Sequence, residues 1–149
     1  MEFSTGQPLA EYNRIYKETD QLYHGLALRM GLADSELVIL YTLALSGDGC
    51  LQRDIVGNAC LSKQTVNSAL RKLEADGILY LEPSGARSKR VCLTEAGLRV
   101  ADATAGRLIR LENSIFDEWP AEDVQQYLGL MERYLQAFRC RLPELGGQE

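Results

Sequence analysis

The sequence predicts a mainly α-helical chain with one small β-hairpin, and three observations carry that reading. A short helix candidate, Ser62 to Asp76, follows a shorter one, roughly Gln52 to Gly57, across a tight connection from Asn58 to Leu61. Next comes an apolar and aromatic run, Ile78-Leu79-Tyr80-Leu81, then turn chemistry in Pro83-Ser84-Gly85-Ala86 and a return run from Lys89 to Leu93. Long amphipathic stretches flank this centre on both sides. Two helices across a tight turn, followed by a hairpin, read as a winged helix-turn-helix, here with long N- and C-terminal helices added.

The elements follow in order. Leu9 to Met30 keeps apolar and aromatic side chains at three- and four-residue steps (Leu9, Tyr12, Tyr16, Tyr23, Leu26, Met30), which predicts a long first helix ending at Gly31. Asp34 or Ser35 caps a second helix to about Ser46, apolar on broad faces as a buried helix is. Ser46-Gly47-Asp48-Gly49 is a loop, and Leu51, Ile55 and Val56 give the next short helix its apolar face. Ser62 then offers a hydroxyl to a first-turn N–H. At about 100° per residue, Val66, Ala69, Leu70 and Leu73 form one stripe of the Ser62 helix. Gln64, Ser68 and Arg71 fall opposite, flanked by Asn67 and Lys72, and the only acids, Glu74 and Asp76, come in the last turn. Gly77 ends the helix. Thr94 caps a third long helix with a heptad-like seam of Leu98, Ala101, Ala105, Leu108, Leu111 and Ile115. Pro120 suits the first turn of a last helix, whose apolar face is Val124, Tyr127, Leu128, Met131, Tyr134, Leu135 and Phe138. Pro143 and Gly146-Gly147 mark a fraying tail.

Composition narrows the function. At 149 residues, 46% hydrophobic and 25% charged, the chain reads as one soluble globular domain. Its net charge of −5 counts against a general nucleic-acid coat. The charge is uneven, however. From Arg53 to Arg90 there are seven Lys/Arg and four Asp/Glu, a local +3, which leaves −8 on the remainder. A basic island on an acidic body suits a protein that touches DNA with one face. Met1 to Leu9 has no apolar run, and the longest apolar stretch, Leu37 to Leu45, is nine residues. The expectation is a cytoplasmic protein with no membrane partner. Four cysteines without CxxC spacing and one histidine, His24, give no zinc site. With no nucleophile–base pair and no Gly-rich phosphate loop, neither an enzyme nor a cofactor is expected.

The polar face of the Ser62 helix carries amides, hydroxyls and cations, the groups that read adenine and guanine edges in a major groove. The hairpin tip carries Arg87, Lys89 and Arg90, suited to a phosphate backbone or the minor groove. Double-stranded DNA is therefore the expected partner. A winged helix can instead serve as a protein-binding module, but such modules often have an acidic or apolar recognition helix, which Gln64, Asn67 and Arg71 oppose. The winged-helix lobe needs only about residues 34 to 94. The helices at about 9–31 and 95–140 then have little core to cover them, and the economical solution is a two-fold dimer. Such a dimer sets two recognition helices about 34 Å apart on one side of the duplex, on a pseudo-palindromic site.

The run SKQTVNSALRKLEADGIL, with Arg87, Val91, Leu93-Thr94 and Gly97 after it, resembles the MarR-type (multiple antibiotic resistance) winged-helix regulators. In that family the wing carries D-x-R, followed by an x-L-T-x-x-G helix start. The resemblance covers essentially the whole chain. Two positions depart from it: the usual wing Asp is Gly85, and the arginine common just after the first wing strand is Leu81. Their loss removes a polar brace and leaves Glu82 or Lys89 as substitutes. The resemblance implies a homodimeric DNA-binding transcriptional regulator, most often a repressor that an effector releases. It places Ser62, Lys63, Gln64, Thr65, Asn67, Ser68 and Arg71 on the DNA-facing helix and Arg87, Lys89 and Arg90 in the wing. Ser62 and Thr65 suit phosphates; Gln64, Asn67 and Arg71 suit base edges. Family members often bind small aromatic ligands between the dimer helices and the DNA-binding lobe, where Tyr12, Tyr16, Tyr23, His24 and Tyr41 are the candidates, with plain aromatic core as the blander reading. Some relatives sense oxidants through a first-helix cysteine, but no cysteine precedes Cys50 here. A different thiol switch at Cys50, Cys60 or Cys92 is the alternative to buried, inert thiols.

Overall fold

A computed structural model describes residues 6–47, 49–85 and 87–146. Asp48 of the loop before the short helix, Ala86 of the hairpin turn and Gly147 of the tail lie outside the described residues. The chain forms two compact units, Met1–Leu108 and Ile109–Glu149.

The first unit is the winged helix with a long helix before it. Helix α1 spans Gln7–Arg29 and α2 spans Asp34–Ser46. A two-residue strand β1, Cys50–Leu51, precedes α3, Gln52–Asn58, and α4 runs Lys63–Ala75. Strands β2, Leu79–Ser84, and β3, Ser88–Leu93, form the hairpin, and α5 starts at Glu95. The sheet is antiparallel in the order β1-β3-β2. Its register pairs Leu79 with Leu93 and Ser84 with Ser88 in the hairpin, and Cys50 with Val91 on the other side. Sequence patterning missed β1, because two residues are too few to show alternation.

The core lies around α2. Leu37, Ile39, Leu40 and Leu43 are buried there against Ile55 of α3, the stripe Val66, Ala69, Leu70 and Leu73 of α4, and Leu79, Val91 and Leu93 of the sheet. The hairpin departs from expectation in length. Pro83 and Ser84 continue β2 rather than turning, and Pro83 stands opposite Lys89. Gly85 makes the turn at φ +77°, a left-handed position where glycine carries no Cβ penalty. The residue in place of the family's Asp is thus one that this turn favours. Leu81, in place of the family's Arg, is inside β2 and half-buried against the core. The Ser88 hydroxyl donates to the Ser84 carbonyl and closes the wing within itself.

The start of α5 explains another stretch of the motif. The Thr94 N–H donates to the Ile78 carbonyl, and the Thr94 hydroxyl donates to the Gly77 carbonyl at 2.6 Å. The same hydroxyl accepts from the Gly97 N–H at 2.9 Å. These bonds press the first turn of α5 onto the chain leaving α4. A Cβ at position 97 would stand 1.7 Å from the Ile78 carbonyl oxygen, so only glycine fits.

Two expectations for the helices are corrected. The N-cap of α2 is Ala33, not Asp34 or Ser35. Ala33 has no side chain to accept from the first turn, but the Glu36 carboxylate accepts from the Ala33 N–H at 2.6 Å, the reciprocal bond of a capping box. The third long helix is not one heptad seam either. Helix α5, Glu95–Ala101, gives way to a π-helical turn, Asp102–Gly106, before α6, Arg107–Asp117. Ala101, Ala105 and Leu108 are buried in the first unit's own core, while Leu98, Leu111 and Ile115 are exposed. The extra residue of a π turn rotates the following turns and splits the stripe in two.

The second unit holds the rest of α6 and helix α7, Ala121–Leu145. Pro143 lies inside α7 rather than ending it. Trp119 meets both Phe116 and Tyr127 edge to face at the corner, with Trp119 and Tyr127 centroids 5.4 Å apart. No residue of α7 is buried, and Met131, Tyr134 and Phe138 are among its exposed side chains. Among the described residues no helix is long and apolar enough to cross a membrane.

Candidate nucleic-acid interface

Helix α4 presents its polar face because its other face is consumed by the core. Val66 and Leu73 have no exposed surface, and a helix carries a stripe opposite the one it buries. The Ser62 hydroxyl accepts from the Thr65 N–H at 3.1 Å, which fixes the first turn. That turn holds no acid, so the positive end of the helix is not neutralised locally.

Four cations from three elements converge beside that end. Arg53 of α3, Lys63 of α4, and Arg87 and Lys89 of the wing line one cleft of about 460 Å³ with Gln52, Val56, Ser84, Gly85 and Ser88. Among the described residues that line it there is no carboxylate, although Arg53 Nε lies 3.7 Å from the Asp54 carboxylate. The register explains the wing's share: Lys89 lies on the same sheet face as Val91 and Leu93, the face turned to the core. Arg90 lies on the opposite face, across from Glu82, and a Cβ on Gly49 would come 2.8 Å from its Cδ. The three wing cations named from the sequence are therefore not one group: Arg87 and Lys89 share the cleft, and Arg90 runs over the loop before β1. Arg53 joins the cleft without having been singled out. Its signal in the sequence was its place in the basic island, one residue into the helix that precedes the turn.

The remaining polar residues of α4 divide. Gln64, Thr65 and Ser68 line a second cleft of about 420 Å³ with Ser35, Glu36 and Lys72. Arg71 is exposed farther along the helix. Asn67 is half-buried, and its Oδ1 accepts from Gln52 Nε2 at 2.7 Å. Lys72, a flank of the polar face in the sequence, is engaged elsewhere. Its ammonium donates to the Glu36 carboxylate at 2.5 Å and lies 3.7 Å from Asp76. Glu36 is only 1% exposed, so this bond supplies the counter-charge that a buried carboxylate needs. The hydrogen bond that Lys72 donates to Glu36 raises the Lys72 pKa above its ordinary value of 10.5.

The candidate effector residues do not form one lining. Tyr12, Tyr16 and Tyr23 are exposed on α1, with Tyr12 and Tyr16 stacked at 6.3 Å, which corrects the plain aromatic-core reading for these three. Tyr41 is half-buried against the core. The His24 ring nitrogen Nδ1 sits 2.8 Å from the Asp34 carboxylate and ties α1 to the start of α2. The cysteines also correct an expectation. Cys92 is buried and Cys50 partly so, but Cys60 and Cys140 are exposed, and no disulfide joins any of the four.

Neither the family models nor the curated sequences give a match to this chain. Solved structures do. A MarR-family transcriptional regulator from Silicibacter pomeroyi is 25% identical over 87% of this chain and 88% of its own, with a TM-score of 0.70. The S. aureus MepR–DNA complex is 22% identical over 92% of this chain and 99% of its own, at 0.69. The PcaV transcriptional regulator from Streptomyces coelicolor, in complex with its natural ligand, is 18% identical over 91% and 99%, at 0.66. These neighbours are transcription regulators rather than enzymes, and this chain has the winged-helix fold of the MarR family.

Proposed function

We propose that this chain is a sequence-specific, DNA-binding transcriptional regulator that works as a homodimer on a pseudo-palindromic site. The observation that carries the reading is the cleft, beside the start of α4, that Arg53, Lys63, Arg87 and Lys89 line together. Cations so placed hold phosphates on either side of a groove, and phosphate contacts fix the register in which a helix meets base edges. Ser62, Lys63, Thr65, Arg87 and Lys89 are assigned to backbone, Gln64, Asn67, Ser68 and Arg71 to the groove, and Arg90 to the outer side of the wing. The similarity to a MepR–DNA complex supports the same reading.

Dimerisation is supported by the apolar faces of α1 and α7, which their own chain leaves exposed. Control by a small-molecule effector is supported by the ligand-bound PcaV neighbour, and an aromatic effector that relieves repression would suit the exposed tyrosines of α1. The reading assigns the chain no catalytic chemistry. Footprinting of the full-length protein on the intergenic DNA beside its own gene tests it. Protection of two inverted half-sites one helical turn apart is expected; equal protection of every sequence would overturn the claim of specificity.

A further inference from the structure

The hydrogen bond between Gln52 and Asn67 bears on which base the helix selects. An asparagine with both amide ends free grips adenine, accepting from N6 and donating to N7. Here the two ends are not equivalent. Gln52 opens α3, Asn67 lies in the middle of α4, and Gln52 Nε2 donates to Asn67 Oδ1 at 2.7 Å across the helix-turn-helix. Both residues are half-buried, so water competes for the bond less than at an open surface. The carbonyl end of Asn67 is thereby turned to α3, and the end left for the groove is Nδ2, which only donates.

We infer that Gln52 is a specificity-determining residue: it holds Asn67 as a donor, so the base that Asn67 reads carries acceptors on its major-groove edge. Guanine, with O6 and N7 adjacent, fits this presentation best. Adenine fits it worse, because its N6 amino group would face no acceptor. This rests on the DNA-binding reading above and adds the base class to it.

The test is selection from a randomised duplex library by the full-length protein, followed by affinities for all four bases at each selected position. In the wild type one position per half-site prefers guanine to adenine, and N67A abolishes that preference there alone. Q52L cannot donate, releases Oδ1, and lowers the guanine-to-adenine ratio at that position about tenfold. Q52E accepts from Asn67 Nδ2, turns the amide round, and moves the preference toward bases with an amino group, adenine or cytosine. Circular dichroism of each variant checks that the fold is kept, and Q52E tests the inference independently should Q52L fold poorly. An Asn67-dependent position that prefers adenine in the wild type, or a ratio that neither Gln52 variant moves, overturns the inference while leaving the DNA reading intact. Selection of no sequence at all overturns both.

Discussion

Helices α4 and α7 carry the same kind of pattern and meet opposite fates. Each has apolar side chains at helical spacing along one face. In α4 that face disappears: Val66, Ala69, Leu70 and Leu73 are buried against α2 and the sheet. In α7 it stays outside, with Tyr134 51% and Phe138 52% exposed. An apolar stripe therefore says that a face is to be covered, but not by which chain. For α4 the cover is the helix and sheet that precede and follow it. For α7 the proposed cover is a second copy.

The comparison is broken most directly on α7. Met131→Asp together with Leu135→Asp places four carboxylates in the proposed dimer seam. The lost burial alone costs about 6 kcal/mol over both protomers, taking the low end of the range for each side chain. Sedimentation is expected to show a folded monomer. A dimer that persists would mean this face is not the one covered. Leu70→Ala probes the other helix. It removes buried methyl groups and leaves a cavity, lowering unfolding free energy by about 2–5 kcal/mol. In denaturant titrations at several protein concentrations that loss is expected to stay constant, since it arises within one chain. A loss that changes with concentration would join the α4 stripe to the subunit interface.

A smaller effect sharpens how α4 is held. Lys72 is raised by its bond to Glu36, so the bond stabilises the fold at pH values below the ordinary lysine pKa of 10.5. Its contribution is lost as the pH climbs through the higher folded value. Lys72→Met is expected to lower the melting temperature at neutral pH and to flatten its decline in alkali. Melting curves from neutral to strongly alkaline pH check this; an unchanged curve would show that Glu36 does not depend on Lys72.

Much of this was legible in the sequence for a physical reason. The α4 stripe, the Ser62 cap and the wing follow from periodicity and local hydrogen bonding, which neighbouring residues determine. What was not legible depends on distant partners. Glu36 looks like an ordinary helix-start acid until Lys72, far along the chain, is seen beside it. The division of Lys89 from Arg90 depends on the register of β3, which shifts from one face to the other with a single residue. The π turn at Asp102–Gly106 left no mark in composition, so the seam from Leu98 to Ile115 looked continuous. Asn67 was read only as a candidate for base edges, because its partner Gln52 stands 15 residues away in the chain.

The central claim is that the cleft between α4 and the wing, and not the long terminal helices, meets the DNA backbone. The most direct test is the slope of log affinity against log salt for wild type, Arg87→Ala and Arg139→Ala on one duplex. Arg87 lines the cleft, whereas Arg139 is an exposed cation of α7. For a dimer, Arg87→Ala removes two cations and is expected to flatten the slope by roughly two, while Arg139→Ala leaves it unchanged. An unchanged slope for Arg87→Ala, or an equal flattening for Arg139→Ala, would contradict the account.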